Sequence, residues 1–478
     1  LTRVRHRAVA AEGGAVGGAT RSHVVASLFL RKRRSRSLGC EAVQVNTTLP
    51  LETRGHLLAR LPSDPTGPLA PRWHPIHTVY GGAHLFSAQT PRKLGHLARR
   101  ALEGYAPDPE TLAEAMGMDL ETARQVLPRL KSRLEERPIE DYRIDFEDGY
   151  GVRSDDEEDR HALGVGQALA IALEEGGLPP RVGIRIRALT RQTGPRALRT
   201  LDLVLTRLVS EAGGLPDGFV VTLPKVEDVE APRILTEALE GLEAASGLPV
   251  GSVAVELMVE SPKGLAPQQV RAGLEATKGR CLAIHFGAND FLTACGVGPA
   301  EQDLGHPLCD FARATLHLGV AGHSVRLVDG TTTVLPVPPH RGVELGQDQL
   351  SQNRRAVHEA WLRHAQDIRR GLRQGFHQGW DLHPAQLVSR FAVIQGWFLE
   401  GADAVTTRLN NFLEASAQAT RVGTVFDDAA TGRALLAHFL RGLDCGAWDE
   451  KEVRKRTGLS REQLLASSFP DLLAGRLA

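Results

Sequence analysis

The chain has 478 residues, 42% of them hydrophobic and 24% charged, with 57 basic side chains set against 57 acidic ones. Such a length and composition suit one large domain with additions and exclude a globally disordered chain. The neutral balance excludes a dedicated nucleic-acid binder, which carries a basic excess, and no run of about 20 apolar residues offers a membrane span.

The amino-terminal region differs from the rest. It carries Arg3, Arg5, Arg7, Arg21, Arg31, Lys32, Arg33, Arg34 and Arg36 against the acid Glu12, among many Gly and Ala residues. Residues 1–45 are expected to be a disordered basic tail or a non-native start, with no apolar segment and cleavage site that would make a signal peptide. Cys40, Cys281, Cys295, Cys309 and Cys445 show no C-x-x-C spacing, which points to unpaired thiols in a reducing, cytoplasmic setting.

Further along, short β-type runs alternate with amphipathic ones. Strands are predicted over residues 77–86, 142–146, 182–188, 218–223, 253–259, 281–286, 324–327 and 380–382. Apolar spacing near 3.6 predicts helices over 93–102, 195–209, 227–245, 267–276, 307–318 and 350–372. Thr90-Pro91 reads as a helix start, and Ser154 opens a helix whose acidic first turn, Asp155 to Asp159, suits the helix dipole. Residues 108–136 read as an inserted helix pair, with Asp119 capping the second. Three more helices are expected over 404–419, 427–440 and 460–467, the last opened by a capping box at Ser460 to Gln463. Eight strands alternating with helices imply parallel pairing with right-handed crossovers, and eight is the number that closes a (β/α)8 TIM barrel. An open doubly wound sheet would be favoured by a Gly-rich phosphate turn, and no G-x-G-x-x-G or Walker sequence is present. The barrel is placed at 46–400, with a helical extension over 401–478.

In such a barrel, polar residues at the carboxyl ends of strands line the site. The second strand ends in Asp145-Phe146-Glu147-Asp148 followed by Gly149, three carboxylates that either form a solvated acidic loop or gather where a cation or a shared proton offsets their repulsion. In the third, Arg185 and Arg187 are expected on one face by the period of two, each with a fork suited either to a substrate carboxylate or to a structural salt bridge with the neighbouring acidic strand end. Lys225 follows the fourth strand and either pairs with an acid, the favoured reading, or forms a Schiff base. Glu260 and Asp290 close the fifth and sixth strands, and two carboxylates on adjacent strand ends suit one Mg²⁺. His383, after the eighth strand, either aims an imidazole at the site or forms a structural turn. His84 and the Gly81-Gly82 backbone are further candidates for the mouth.

Taken in order, these pieces resemble the HpcH/HpaI aldolase and citrate lyase β-subunit family of phosphoenolpyruvate/pyruvate-type barrels. The matching segments are Asp145-Phe146-Glu147-Asp148, Arg185-Ile186-Arg187, Thr222-Leu223-Pro224-Lys225, Val259-Glu260-Ser261, Gly287-Ala288-Asn289-Asp290 and Leu382-His383-Pro384-Ala385-Gln386. Arg187, Ser261 and Asn289 stand where that family has Asn, Thr and Glu, so the chain reads as a divergent, long subgroup. The resemblance implies Glu260 and Asp290 as ligands of Mg²⁺ (or Mn²⁺), Arg185 on the substrate carboxylate, and Glu147 with Asp148 at metal-bound water or as acid and base. Arg187, Gly287, Ala288 and His383 complete the expected substrate site. The implied activity is carbon–carbon cleavage of a small 2-oxo or hydroxy acid, or its CoA ester, through a metal-stabilised enolate, in a homo-oligomer. An acyl-CoA thioesterase and a non-catalytic small-acid binder are the alternatives.

Overall fold

The computed structural model describes residues 73–342, 344–422 and 429–465, with a few positions between 52 and 60. The tail over 1–45, Cys40, the first residues of the helix expected over 427–440 and the last of that expected over 460–467 lie outside the described residues. The barrel and its helices all belong to the unit Asp64–Ala478.

Eight strands form one closed barrel: β1 (His77–Gly82), β2 (Asp141–Asp145), β3 (Arg181–Arg185), β4 (Phe219–Leu223), β5 (Ala254–Val259), β6 (Cys281–Phe286), β7 (Arg326–Thr331) and β8 (Gln378–Asp381). Each pairs in parallel with the next, and β8 closes onto β1. The expected (β/α)8 barrel is the fold. Strands covered on both faces read as continuous apolar runs rather than alternating ones, and the five residues of β4 are all buried. At the β3–β4 contact the backbones close so tightly that a Cβ on Gly183 would lie 1.8 Å from the Val220 carbonyl oxygen.

The barrel interior is polar where apolar filling is the norm. Arg143, fully buried, donates to Asp141 at 2.7 Å and to Glu256 at 2.7 Å. Glu256 also pairs with His285 Nε2 at 2.8 Å and Arg326 at 3.1 Å. Burial raises a carboxyl, but the Arg143 charge and the hydrogen bond with His285 outweigh it and hold Glu256 well below the usual range.

The helix ends follow their caps. Asp119 accepts from Thr122 N at 2.8 Å and Ser154 from Glu157 N at 3.3 Å. Several predicted strand ends shift: the first stops at Gly82 and turns into a short 3-10 helix, Ala83–Leu85, β3 stops at Arg185, and β7 runs on to Thr331. Apolar periodicity does not predict the helix Gln386–Leu399, because it is buried nearly all round and presents no polar face. It lies against the inserted helix Leu120–Glu136 and the later helix Ala429–Asp444. There Phe439 and Trp448 stack at 5.1 Å, Phe398 meets Trp448 at 6.0 Å, and Arg129 Nε donates to Ala447 O at 2.9 Å. Insertion and extension thus pack together on one flank of the barrel. Among the described residues, no helix is long and apolar enough to cross a membrane.

Candidate active site

The site assembles at the carboxyl ends of β2 to β6. Parallel register sets Asp145 directly beside Arg185, and the two join in a buried two-point ion pair, Nε to Oδ1 at 2.7 Å and Nη2 to Oδ2 at 2.5 Å. Asp145 also accepts from the backbone of Glu147 at 2.9 Å and Gly149 at 2.7 Å, so one carboxylate shapes the whole β2 turn. The remaining guanidinium nitrogen, Nη1, lies 3.0 Å from Glu147 Oε2 and 3.3 Å from Asp148 Oδ2. The Arg185 head lies 5.1 Å from the Tyr80 ring centre and 5.3 Å from that of Trp380. Arg185 is therefore locked in place, with a single nitrogen turned toward the acids.

Lys225 stands among those acids. Its backbone is left-handed, φ 53°, a conformation disfavoured for a residue with a Cβ. That twist sends its N–H to Glu260 Oε2 at 2.7 Å while its ammonium reaches Glu147 Oε1 at 2.5 Å, Asp148 Oδ1 at 3.3 Å and Asp290 Oδ2 at 3.7 Å. Desolvation pulls the ammonium pKa down, but the Glu147 and Asp148 contacts outweigh it and raise the pKa. A lysine held charged is no Schiff-base nucleophile in this state. The ion-pair reading of Lys225 is the one its geometry fits.

The carboxylates diverge. Burial pushes Glu147 up despite Arg185 and Lys225, whereas at Asp148 the same two cations outweigh desolvation and hold the group down. Glu260 is pushed up to about 7, by burial first and then by the negative charge of Glu147. Glu147 Oε2 is shielded from water and has no aligned hydrogen-bond donor, even beside Arg185. Glu260 lies on Gly287, where a Cβ would come within 2.5 Å of its Oε1. The glycine is required there for room.

Glu260 and Asp290 suit a hard divalent cation in chemistry, as oxygen donors on neighbouring strand ends. Glu260 is a buried acid short of positive charge, which is what a cation would supply. Among the described residues no three His, Cys, Asp or Glu side chains gather as a ready metal cage. The protein's share would then be the two carboxylates, with water and substrate oxygens completing the shell.

Other expected site residues take different places. Arg187 is not brought to the cluster: β3 ends at Arg185, the strand alternation stops, and Arg187 turns to Glu158 at 2.8 Å and the Gly151 carbonyl at 3.1 Å. His383 accepts from Ala385 N at 3.2 Å, and burial lowers its pKa, so the ring braces a turn in its neutral form. Gln386 holds that turn by accepting from Leu382 N at 2.8 Å and His383 N at 3.0 Å. The Gly287 N–H is taken by the Val259 carbonyl at 3.0 Å, and Ala288 is buried at the start of the helix Ala288–Ala294. The His84 ring lies 5.7 Å from that of Tyr150, tilted by 56°. Sequence reasoning does not single out Asp145, Tyr80 or Trp380 as individual site residues. For Asp145 a signal exists, its register opposite Arg185.

A serine, histidine and aspartate also line up elsewhere: Ser389 Oγ lies 2.8 Å from His364 Nδ1, and His364 Nε2 lies 3.1 Å from Asp381. All three are 1% exposed or less, so Ser389 meets no substrate.

No curated protein matches the sequence. Among solved structures, the Haloferax volcanii malate synthase lead(II) complex is 13% identical over 81% of this chain and 96% of that one, with a TM-score of 0.43. The magnesium/glyoxylate complex of the same enzyme is 15% identical over 83% and 98%, TM-score 0.43, and its pyruvate/acetyl-CoA ternary complex 15% over 81% and 96%, TM-score 0.42. Likeness at this level carries no inference about activity. The family model described as Domain of unknown function (DUF6986) matches residues 59–472, most of the chain, and the protein belongs to that family.

Proposed function

We propose that this barrel mouth makes or breaks a carbon–carbon bond next to a carbonyl, on a small 2-oxo or hydroxy carboxylic acid or its CoA ester, as the resemblance to the HpcH/HpaI and citrate lyase β-subunit family implies. The observation that carries the reading is the adjacent pair Glu147 and Asp148, driven apart in acidity by one shared environment. Such divergence separates the carboxylate that can take up a proton, Glu147, from the one that stays charged, Asp148.

Retro-aldol cleavage needs a base for the substrate hydroxyl and stabilisation of the enolate left behind. Glu147 is placed for the proton: it is buried, its basicity is raised, and Oε2 has an acceptor position unfilled. Asp148 stays ionised and half-exposed, sharing Arg185 and Lys225 with it. Arg185 can offer a substrate carboxylate only Nη1, because Asp145 occupies its other edge. Tyr80 and Trp380 flank the guanidinium and limit its movement. A divalent cation held by Glu260 and Asp290, when bound, would supply charge stabilisation to the enolate. In the reverse direction the same residues serve aldol or Claisen addition.

Product analysis tests this. With hydroxy acids and their CoA esters, the reading expects a cleaved carbon skeleton, lost on Glu147→Gln and on Arg185→Met. Free CoA with an intact skeleton would point to a thioesterase, and binding without turnover to a non-catalytic relative.

A further inference from the structure

Five carboxylates, Asp145, Glu147, Asp148, Glu260 and Asp290, meet in this site with two cationic side chains, Arg185 and Lys225. Arg185 is bound on one edge to Asp145. Most of the remaining negative charge therefore falls to a single ammonium. Lys225 Nζ lies within 3.7 Å of Glu147, Asp148 and Asp290, while its own N–H is fixed to Glu260. One residue thus touches both expected metal ligands and both expected acid–base residues.

We propose that Lys225 is a built-in, displaceable counter-ion that holds the carboxylates together in the metal-free protein and competes with the divalent cation for them. This inference rests on the metal-site reading above. Three features support it. The ammonium is tied by ion pairs to Glu147, Asp148 and Asp290, the last of them an expected metal ligand. The lysine is two-fifths exposed, so its head has room to leave. The backbone N–H contact to Glu260 does not involve the ammonium, so the ligand stays oriented when the side chain moves. A positive charge a few ångströms from an incoming cation costs it affinity even when partly screened.

The test is calorimetric titration of the full chain with MgCl₂ and, separately, MnCl₂. Wild type is compared with Lys225→Met, Lys225→Gly, Lys225→Arg and Glu260→Ala. Glycine suits the left-handed backbone at this position, so that variant keeps the loop even if the Met variant folds poorly. The expected result is that both uncharged variants bind metal about tenfold more tightly than wild type or better, while Lys225→Arg stays weak and Glu260→Ala loses binding. The Mg²⁺-induced rise in Tm should be correspondingly larger in the uncharged variants. Equal or weaker affinity in both uncharged variants overturns the counter-ion role but leaves the metal site standing. Absence of metal binding in wild type and all variants overturns the metal site, and this inference with it.

Discussion

In metal-free protein, Glu260→Gln should make the fold more stable at pH 8 and leave it nearly unchanged near pH 4.5. The side chain is 5% exposed and its pKa is pushed from 4.5 up to about 7, by burial first and then by Glu147. The folded state therefore keeps a proton that the unfolded chain has already released. Between these two values the native state binds more protons, so stability contributed by this group is full below about pH 4.5 and is lost as pH rises toward 7. At about 1.4 kcal/mol per pH unit, the interval amounts to about 3 kcal/mol. Glutamine keeps the shape and can still accept the Lys225 N–H, but carries no charge to desolvate. The assay is urea unfolding with a chelator present, at pH 5 and pH 8, for both proteins. Glu147 is also pushed up and contributes its own slope, so the quantity to read is the difference between the two proteins. A gap that does not widen from pH 5 to pH 8, or a variant less stable at pH 8, would refute the reasoning.

Other substitutions separate the roles. Asp145→Asn removes one charge of a buried ion pair and should cost about 3 kcal/mol in urea unfolding, with kcat/KM falling because Arg185 and the Glu147 turn lose their anchor. Gly287→Ala forces a methyl onto Glu260 and should cost about 1–3 kcal/mol and weaken Mg²⁺ binding in calorimetry. Wild-type metal affinity in that variant would refute the packing argument. Arg187→Gln leaves Glu158 with Thr200 at 2.6 Å and Arg196 at 3.4 Å, so it should lower Tm modestly and leave substrate KM unchanged. A large KM rise would return Arg187 to the binding site.

Much of this protein was legible before folding. The alternation of short apolar runs with amphipathic ones determined the eight-stranded barrel, because strand and helix periods are local properties of the chain. Charges ending those runs marked Glu147, Asp148, Arg185, Lys225, Glu260 and Asp290, and the structure draws these onto neighbouring strand ends. What periodicity could not decide was where a side chain goes once its strand stops. Arg185 and Arg187 look alike in sequence, yet β3 ends between them, and one is clamped by Asp145 while the other leaves for Glu158. The helix Gln386–Leu399 escaped for the opposite reason: packed on all sides, it has no polar face to betray its period. The acidities of Glu147 and Asp148, neighbours in the chain, were likewise undecided by sequence. They depend on burial and on cations supplied by other strands, and only tertiary packing sets those distances.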